Sequence, residues 1–396
     1  MRDAMDEPVK IGVVGLGPRG LYLAGMFADR PGARVCAVAD PREDQIAIAR
    51  SKFGDAFSYF ATGHELAASD SVDAVVVATG DRFHAANARE ALGAGKHVLV
   101  EKPLAQSLED CDDIVRLHLA SGKAAMTYLE LRYSSFNQRI KALIEAGDIG
   151  RPILGQVADN CGRVLNTFYH RRNARRADVI FSLPLQKGVH TIDLMNWFLG
   201  GHPRKVFALG ALDFYGGGEP NDKRCTDCAK APDCPFNTAP EYHPVGFPDQ
   251  TMLLDNYCVW AEECDVDDNT VIAVDYDNGA RASYIESQFA PEYSREFMIM
   301  GDEGKVTAIT NEFTGATSIR IHRRYTADVE EINGEAAGGH GGGDDRLADD
   351  FIAAIREGKA PLSDVYAGRD SAAIAIAAEA SVKSGEAVAI PPAPAS

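Results

Sequence analysis

The sequence predicts an α/β protein: an N-terminal doubly wound parallel sheet, then a second half that holds at least one antiparallel hairpin. Three observations carry that reading. Short apolar runs at residues 9–14, 35–39, 74–79 and 97–100 alternate with stretches of helical periodicity, the spacing of βαβ units. A glycine-rich turn, Gly15-Leu16-Gly17-Pro18-Arg19-Gly20, joins the first run to the first helix. Within residues 275–289 a polar turn, Asp277-Asn278-Gly279, lies between alternating runs, the mark of a hairpin.

Composition bounds the function. With 396 residues, 45% hydrophobic and 25% charged, the chain falls in the globular class at about two domains. A net charge of -18 argues against nucleic acid and anionic membrane surfaces as partners. No run approaches the roughly 18 apolar residues of a membrane span, and the charged first ten residues do not read as a secretory leader. Eight cysteines in such a chain then point to a reducing cytoplasm.

Residues 9–14 form a strand running into the glycine turn, and Leu23, Ala24 and Phe27 give the next helix one apolar face. In such a turn the first glycine permits the bend, the second lets backbone approach a pyrophosphate, and the third lets helix pack on strand. Pro18 suits the first helical turn, where its missing N–H costs nothing; the remaining free N–H groups favour a diphosphate. The strand at 35–39 ends at Asp40, twenty positions after Gly20. A carboxylate there accepts from ribose hydroxyls and repels a 2′-phosphate, which reads as NAD over NADP, with Arg42 the one opposing signal.

The near-continuous apolar run at 74–79 suits an interior parallel strand. A loop, Gly80-Asp81-Arg82-Phe83-His84, leads through a helix at 85–92 to His97-Val98-Leu99-Val100-Glu101-Lys102-Pro103. Pro103 cannot continue a central strand, so the chain turns at Lys102. Its ammonium then stands at the ligand-binding edge of the sheet, or else is a surface lysine. A helix at 108–121 and a strand at 123–128 complete this half. The candidate cofactor contacts are Gly15, Gly17, Pro18, Arg19, Gly20, Asp40, Arg42, Thr79, Gly80, His84, Glu101 and Lys102.

GLGPRG, Ala39-Asp40-Pro41, residues 72–84 and AGKHVLVEKPLA at 94–105 together resemble the glucose–fructose oxidoreductase/inositol dehydrogenase (Gfo/Idh/MocA) family, over essentially the whole chain. The resemblance implies a Rossmann NAD-binding domain at 1–130. It implies a substrate-binding and oligomerisation C-terminal α/β domain at 131–396, built on a large, open, mostly antiparallel sheet, with a Cys-rich insertion at about 215–265. It also implies a homo-oligomer, dimer or tetramer. The family lysine maps onto Lys102, touching both cofactor and substrate hydroxyl, and Lys102–Pro103 is implied to be cis.

In the second half, residues 136–146 read as an amphipathic helix and 153–158 as a strand. Residues 169–176 (YHRRNARR) place four arginines within six positions. They read either as a solvated loop or subunit contact, or as guanidinium forks for an anionic substrate group. His190 falls in the opening turn of a helix bearing Ile192, Met195 and Leu199. The positive helix end there favours a neutral imidazole that accepts a proton from a sugar hydroxyl; the alternative is a hydrogen-bonded helix-start histidine.

The family usually has an aspartate four positions before this histidine, where this chain has Gln186, a neutral amide. Lys187, the Cys-rich insertion and the Gly339–Asp344 stretch resemble a branch of the family lacking that aspartate. Some NAD-dependent members of the family are glycosidases, among them sulfoquinovosidases, which bind a sulfonated sugar through basic residues. The candidate substrate contacts are accordingly Arg171, Arg172, Asn173, Gln186, Lys187 and, in a glycine-rich loop, His340.

Cys225 and Cys228, with Cys234 and Cys258 beyond, have tetrahedral zinc spacing in a loop poor in apolar residues. Structural zinc is expected; free thiols or an iron–sulfur cluster are the alternatives. Residues 297–301 and 304–306 continue the open sheet, and 347–355 and 371–381 are closing helices.

The expected activity is NAD(H)-dependent oxidation or reduction at a sugar-ring hydroxyl. His190 removes the hydroxyl proton, Lys102 polarises the carbon–oxygen bond, and hydride passes to the nicotinamide. One alternative is a glycosidase that oxidises transiently, eliminates the aglycone, adds water and re-reduces, with Tyr133 or Tyr169 as additional acid or base. Another is a non-catalytic NAD-bound sensor or scaffold.

Overall fold

The computed structural model describes residues 7–162, 169–237, 256–311, 314–327, 329–335 and 339–395. Two compact units form: one from residues 1–132, 343–372 and 393–396, the other from 133–342 and 373–392. The change of unit at 132/133 lies close to the expected boundary at 130/131. Residues 343–372, expected in the second domain, instead belong to the first unit.

The first unit is built on β1 (Val9–Val14), β2 (Ala33–Ala39), β3 (Ser58–Phe60), β4 (Ala74–Val77), β5 (His97–Val100) and β6 (Ala125–Thr127). They form one parallel sheet in the order β3-β2-β1-β4-β5-β6. The order reverses at β1, so the crevice beyond the carboxyl ends of β1 and β4 is the topological switch point. β4 is buried at all four positions, which explains its unbroken apolar run. Helices α1 (Pro18–Ala28), α2 (Glu43–Phe53), α3 (Gly63–Ala68), α4 (His84–Gly93) and α5 (Leu108–Ser121) fill the crossovers. Leu23, Ala24 and Phe27 bury the apolar stripe of α1. The returning segment belongs here for an apolar reason: Phe351 meets Phe27 edge to face, centroids 6.4 Å apart.

The second unit carries β7 (Pro152–Gly162), β8 (Pro203–Ala211), β9 (Asn269–Tyr276), β10 (Arg281–Ala290), β11 (Ser294–Gly301), β12 (Gly304–Asn311), β13 (Ala316–Arg323), β14 (Val329–Glu335) and the short β15 (Val388–Ala389). Their order is β14-β13-β12-β11-β7-β10-β9-β8-β15. Every pairing is antiparallel except β7 with β10. Burial alternates along β9 and β10, so one face of the sheet is core. That face receives α7 (Val189–Leu199), which lies on β7 and in turn contacts α6 (Ser135–Glu145). The opposite face exposes Leu154, Phe207, Leu209, Val271 and Ile309.

Candidate active-site residues

The turn after β1 has the geometry of a dinucleotide loop. Gly15 adopts φ +91°, and a Cβ there would stand 2.6 Å from the Ala78 carbonyl oxygen. A Cβ at Gly20 would lie 1.8 Å from the Gly15 oxygen, so only glycine lets the start of α1 close on the loop. At Gly17 a Cβ would meet nothing within 4 Å, leaving the backbone open to a pyrophosphate. Pro18 occupies the first position of α1. Asp40, buried at the end of β2, accepts from Leu16 N at 2.8 Å through Oδ2 and from Arg42 N at 2.9 Å through Oδ1. Two backbone donors therefore fix its charge beside the loop. The Thr79 hydroxyl oxygen is buried without a partner among the described residues. Open backbone, a fixed carboxylate and an orphaned hydroxyl fit a bound dinucleotide.

At the end of β5 the Lys102–Pro103 peptide is cis. Glu101 is buried and accepts from Arg19 Nε at 2.5 Å, while its other oxygen accepts from Lys102 N at 3.1 Å. Arg19 also donates to Asp344 Oδ1 at 2.9 Å, as does the Tyr128 hydroxyl at 2.7 Å. Burial opposes the Arg19 charge, but Glu101, Tyr128 and Asp344 outweigh it and hold the guanidinium firmly protonated. Glu101 thus orients the Lys102 backbone, with Arg19 as its counter-charge. His84 is buried between Pro103 O, 2.7 Å from Nδ1, and Thr79 O, 3.0 Å from Nε2. It ties the loop after β4 to the loop after β5. Gly80 is exposed and caps the short turn at Asp81–Phe83.

In the second unit, His190 is half-buried at the second position of α7. The helix does not start there, which corrects the expectation of a helix end beside it. A π-helical turn, Pro184–Gly188, precedes it, with helical backbone continuing through Gly188 (φ -64°, ψ -27°). The free N–H groups of the helix end are therefore displaced upstream of His190. Lys187, buried in that turn, donates to Asp159 Oδ1 at 3.0 Å, and Arg295 Nε lies 3.1 Å from the same oxygen. Burial resists ionisation of Asp159, but Lys187 and Arg295 hold the carboxyl below the usual carboxylate range. Gln186 is half-buried beside it.

Tyr133 is buried, and so is Tyr169, packed with Ile180, Leu183 and Val266. Burial pushes the Tyr169 phenol well up, so it holds its proton. His340 is exposed, with φ +48° in the turn Gly339–Gly342.

A family model for the oxidoreductase family's NAD-binding Rossmann fold matches residues 9–129, and a model for its C-terminal alpha/beta domain matches 141–390. The chain belongs to the Gfo/Idh/MocA oxidoreductase family. It is 29% identical to a putative oxidoreductase, YteT, of Bacillus subtilis (strain 168) over 77% of each chain. To inositol 2-dehydrogenase 1 of Saccharopolyspora erythraea it is 32% identical over 50% of this chain and 56% of that one. A solved levoglucosan dehydrogenase, in complex with NADH and L-sorbose, shares the fold with a TM-score of 0.74. It is 19% identical, and the match covers 97% of this chain and 99% of that one. No helix among the described residues is long and apolar enough to cross a membrane.

Within this Gfo/Idh/MocA chain, the arginine-rich stretch is largely turned inward. Arg175 is fully buried and donates to Glu263, to Cys258 O at 3.2 Å and to Asn221 O at 2.8 Å, with its guanidinium 4.4 Å from the Tyr257 ring centre. Arg171, also buried, donates from Nη1 to Cys225 Sγ at 3.4 Å and Asn256 Oδ1 at 3.2 Å. Arg176 pairs with Asp178 at the surface, Arg172 is half-buried and Asn173 exposed.

This placement lends the zinc expectation no support. Among the described residues no three His, Cys, Asp or Glu side chains converge as metal ligands, and all eight cysteines are free thiols. At Cys225 the neighbouring cation is the Arg171 guanidinium. The insertion is held instead by aromatic contacts among Phe214, Tyr215, Phe236 and Trp260, with His170 stacked on Tyr215 at 4.2 Å.

Sequence reasoning missed the Asp344 tie to Arg19 and the buried polar row of Asp159, Tyr284, Glu286 and Arg295. The signal was present. In both β7 and β10 a carboxylate stands where alternation demands a core residue.

Proposed function

We propose that the protein is an NAD(H)-dependent oxidoreductase acting on a ring hydroxyl of a sugar or polyol. The observation that carries this reading is the Lys102–Pro103 corner, beside a glycine turn shaped for a dinucleotide and within a family of sugar-type oxidoreductases. A bound nicotinamide ring supplies the hydride acceptor. Asp40 holds the adenosine ribose hydroxyls and disfavours a 2′-phosphate. Lys102 donates to the reacting oxygen, Glu101 fixes the lysine backbone, and His190 receives the hydroxyl proton. Lys187 and Arg171 make contacts inside their own unit, which favours a neutral substrate over a sulfonated or carboxylated one. The exposed apolar side chains of the second sheet support the expectation of a homo-oligomer.

The test is NADH formation over a panel of free sugars, polyols and aryl glycosides, with Lys102→Met and His190→Asn as controls. Net NADH from a free sugar or polyol, lost in both variants, is expected. Aglycone release with substoichiometric NAD and no net NADH would replace this reading with the transient-redox glycosidase. NADH binding without turnover of any compound would leave a sensor or scaffold.

A further inference from the structure

We propose that Glu286 keeps its proton in the folded protein, and that the chain Glu286–Tyr284–Asp159 is a positioning device for the turn leading into His190. The consequence for catalysis rests on the reading of His190 given above; the geometry does not.

The sheet register sets up the problem. β7 lies between β10 and β11, and Asp159 is the register partner of Glu286 on one side and Arg295 on the other. Both carboxylates are buried, and side-by-side carboxylates on neighbouring strands repel. The two cations nearest this row, Lys187 and Arg295, both sit on Asp159. Glu286 forms no ion pair among the described residues; its partners are Gln288 Nε2 at 2.5 Å and the Tyr284 hydroxyl at 2.6 Å.

That hydroxyl also stands 3.0 Å from Asp159 Oδ2. A phenol has one proton and cannot donate to two carboxylates at once. Both contacts become hydrogen bonds if the Glu286 carboxyl donates to Tyr284 Oη and Tyr284 donates to Asp159, the member with two cations. Burial first, and Asp159 second, push the Glu286 carboxyl up to about 7, in line with this assignment. The titratable groups facing it are Asp159 and Cys161 of β7, Lys187 of the π-helical turn, Tyr169, and Tyr284 of its own strand. Arg295 and Tyr293 stand beyond Asp159 and Lys187.

The turn rests directly on this chain. A Cβ at Gly188 would lie 2.7 Å from Glu286 Oε2 and 2.7 Å from the Tyr284 hydroxyl, so Gly188 seats its backbone on the pair. Its neighbour Lys187 reaches Asp159. Two adjacent residues of the turn are thus anchored two and three positions ahead of His190. An ionised Glu286 would place a second negative charge under that seat, beside an Asp159 that already holds both cations.

The experiment compares wild type, Glu286→Gln and Tyr284→Phe, and needs no substrate. A carboxyl whose folded pKa lies above its unfolded value of about 4.3 stabilises fully at low pH and loses that contribution as pH rises through about 7. Relative to Glu286→Gln, the wild-type unfolding equilibrium constant should rise on the order of 10²-fold between pH 4.5 and 7.5. The wild-type infrared spectrum at pH 6 should carry a protonated-carboxyl stretch that Glu286→Gln lacks. Amide exchange across residues 184–190, measured at one pH, should quicken at least tenfold in Tyr284→Phe and stay near wild type in Glu286→Gln.

Equal pH slopes in wild type and Glu286→Gln, or no carboxyl band, would overturn the proton assignment. Unchanged exchange in Tyr284→Phe would overturn the positioning role. Failure of every candidate substrate would count against the proposed activity and leave these readouts standing.

Discussion

Replacing Lys187 with methionine separates a structural from a substrate role for this lysine. The substitution keeps most of the apolar stem and removes the ammonium that lies 3.0 Å from Asp159. Asp159 has no exposed surface, so its carboxylate would face Arg295 alone among its two cations. Breaking a buried pair by removing one partner costs about 3–5 kcal/mol. Arg295, at 3.1 Å, retains part of the compensation, which sets the expectation at the low end, about 3 kcal/mol. That corresponds to on the order of 10²-fold more unfolded protein. Urea unfolding followed by tryptophan fluorescence reads it directly, since both tryptophans, Trp197 and Trp260, belong to the second unit. The double variant Lys187→Met/Asp159→Asn should recover part of the loss, because no uncompensated carboxylate remains. A loss below about 1 kcal/mol, together with weaker binding of anionic sugars only, would refute the reasoning and return Lys187 to the substrate.

Two further substitutions test the other anchors. Asp40→Ala should lower NADH affinity and narrow the preference over NADPH. It removes the fixed charge and the acceptors of Leu16 N and Arg42 N; fluorescence titration of both cofactors checks this, and an unchanged ratio would sink the assignment. Arg175→Met should cost about 1–3 kcal/mol by leaving the acceptors on Cys258, Asn221 and Glu263 without their buried donor. Hydrogen exchange should localise that loss to the insertion, NADH affinity should hold, and metal analysis of the untreated wild type should return no stoichiometric zinc or iron.

The nucleotide half was legible because its rules are local. A strand, a glycine turn at fixed spacing and an acidic residue at the next strand end specify their neighbours within about forty positions. The break at Glu101-Lys102-Pro103 needed only the chemistry of proline. What escaped was set by distant partners. Four arginines in six residues fit a solvated loop, a subunit contact or an anion site when nothing shows that Arg175 meets Glu263 and Arg171 meets Cys225. The CxxC spacing suggests a metal, whereas the aromatic side chains that pack the insertion, from Phe214 to Trp260, follow no local spacing that marks them. His190 was placed on the correct helix, yet the extra turn before it depends on Gly188 seating against Tyr284 and Glu286, nearly a hundred residues away. Core-facing carboxylates at alternating strand positions were readable as an anomaly, but their pairing required the sheet order.

Arg19 and Asp344 are 325 positions apart, yet both belong to the nucleotide-binding unit. The residue that completes the polar cluster beside the cofactor loop is therefore synthesised long after the parallel sheet that carries the loop. A nascent chain ending before residue 343 holds the whole parallel sheet and Glu101, while Arg19 and Tyr128 lack their shared carboxylate and Phe27 lacks Phe351. Residues 1–132 expressed alone inherit the same deficit, and grafting this nucleotide module onto another protein requires residues 343–372 to travel with them as a separate piece of chain.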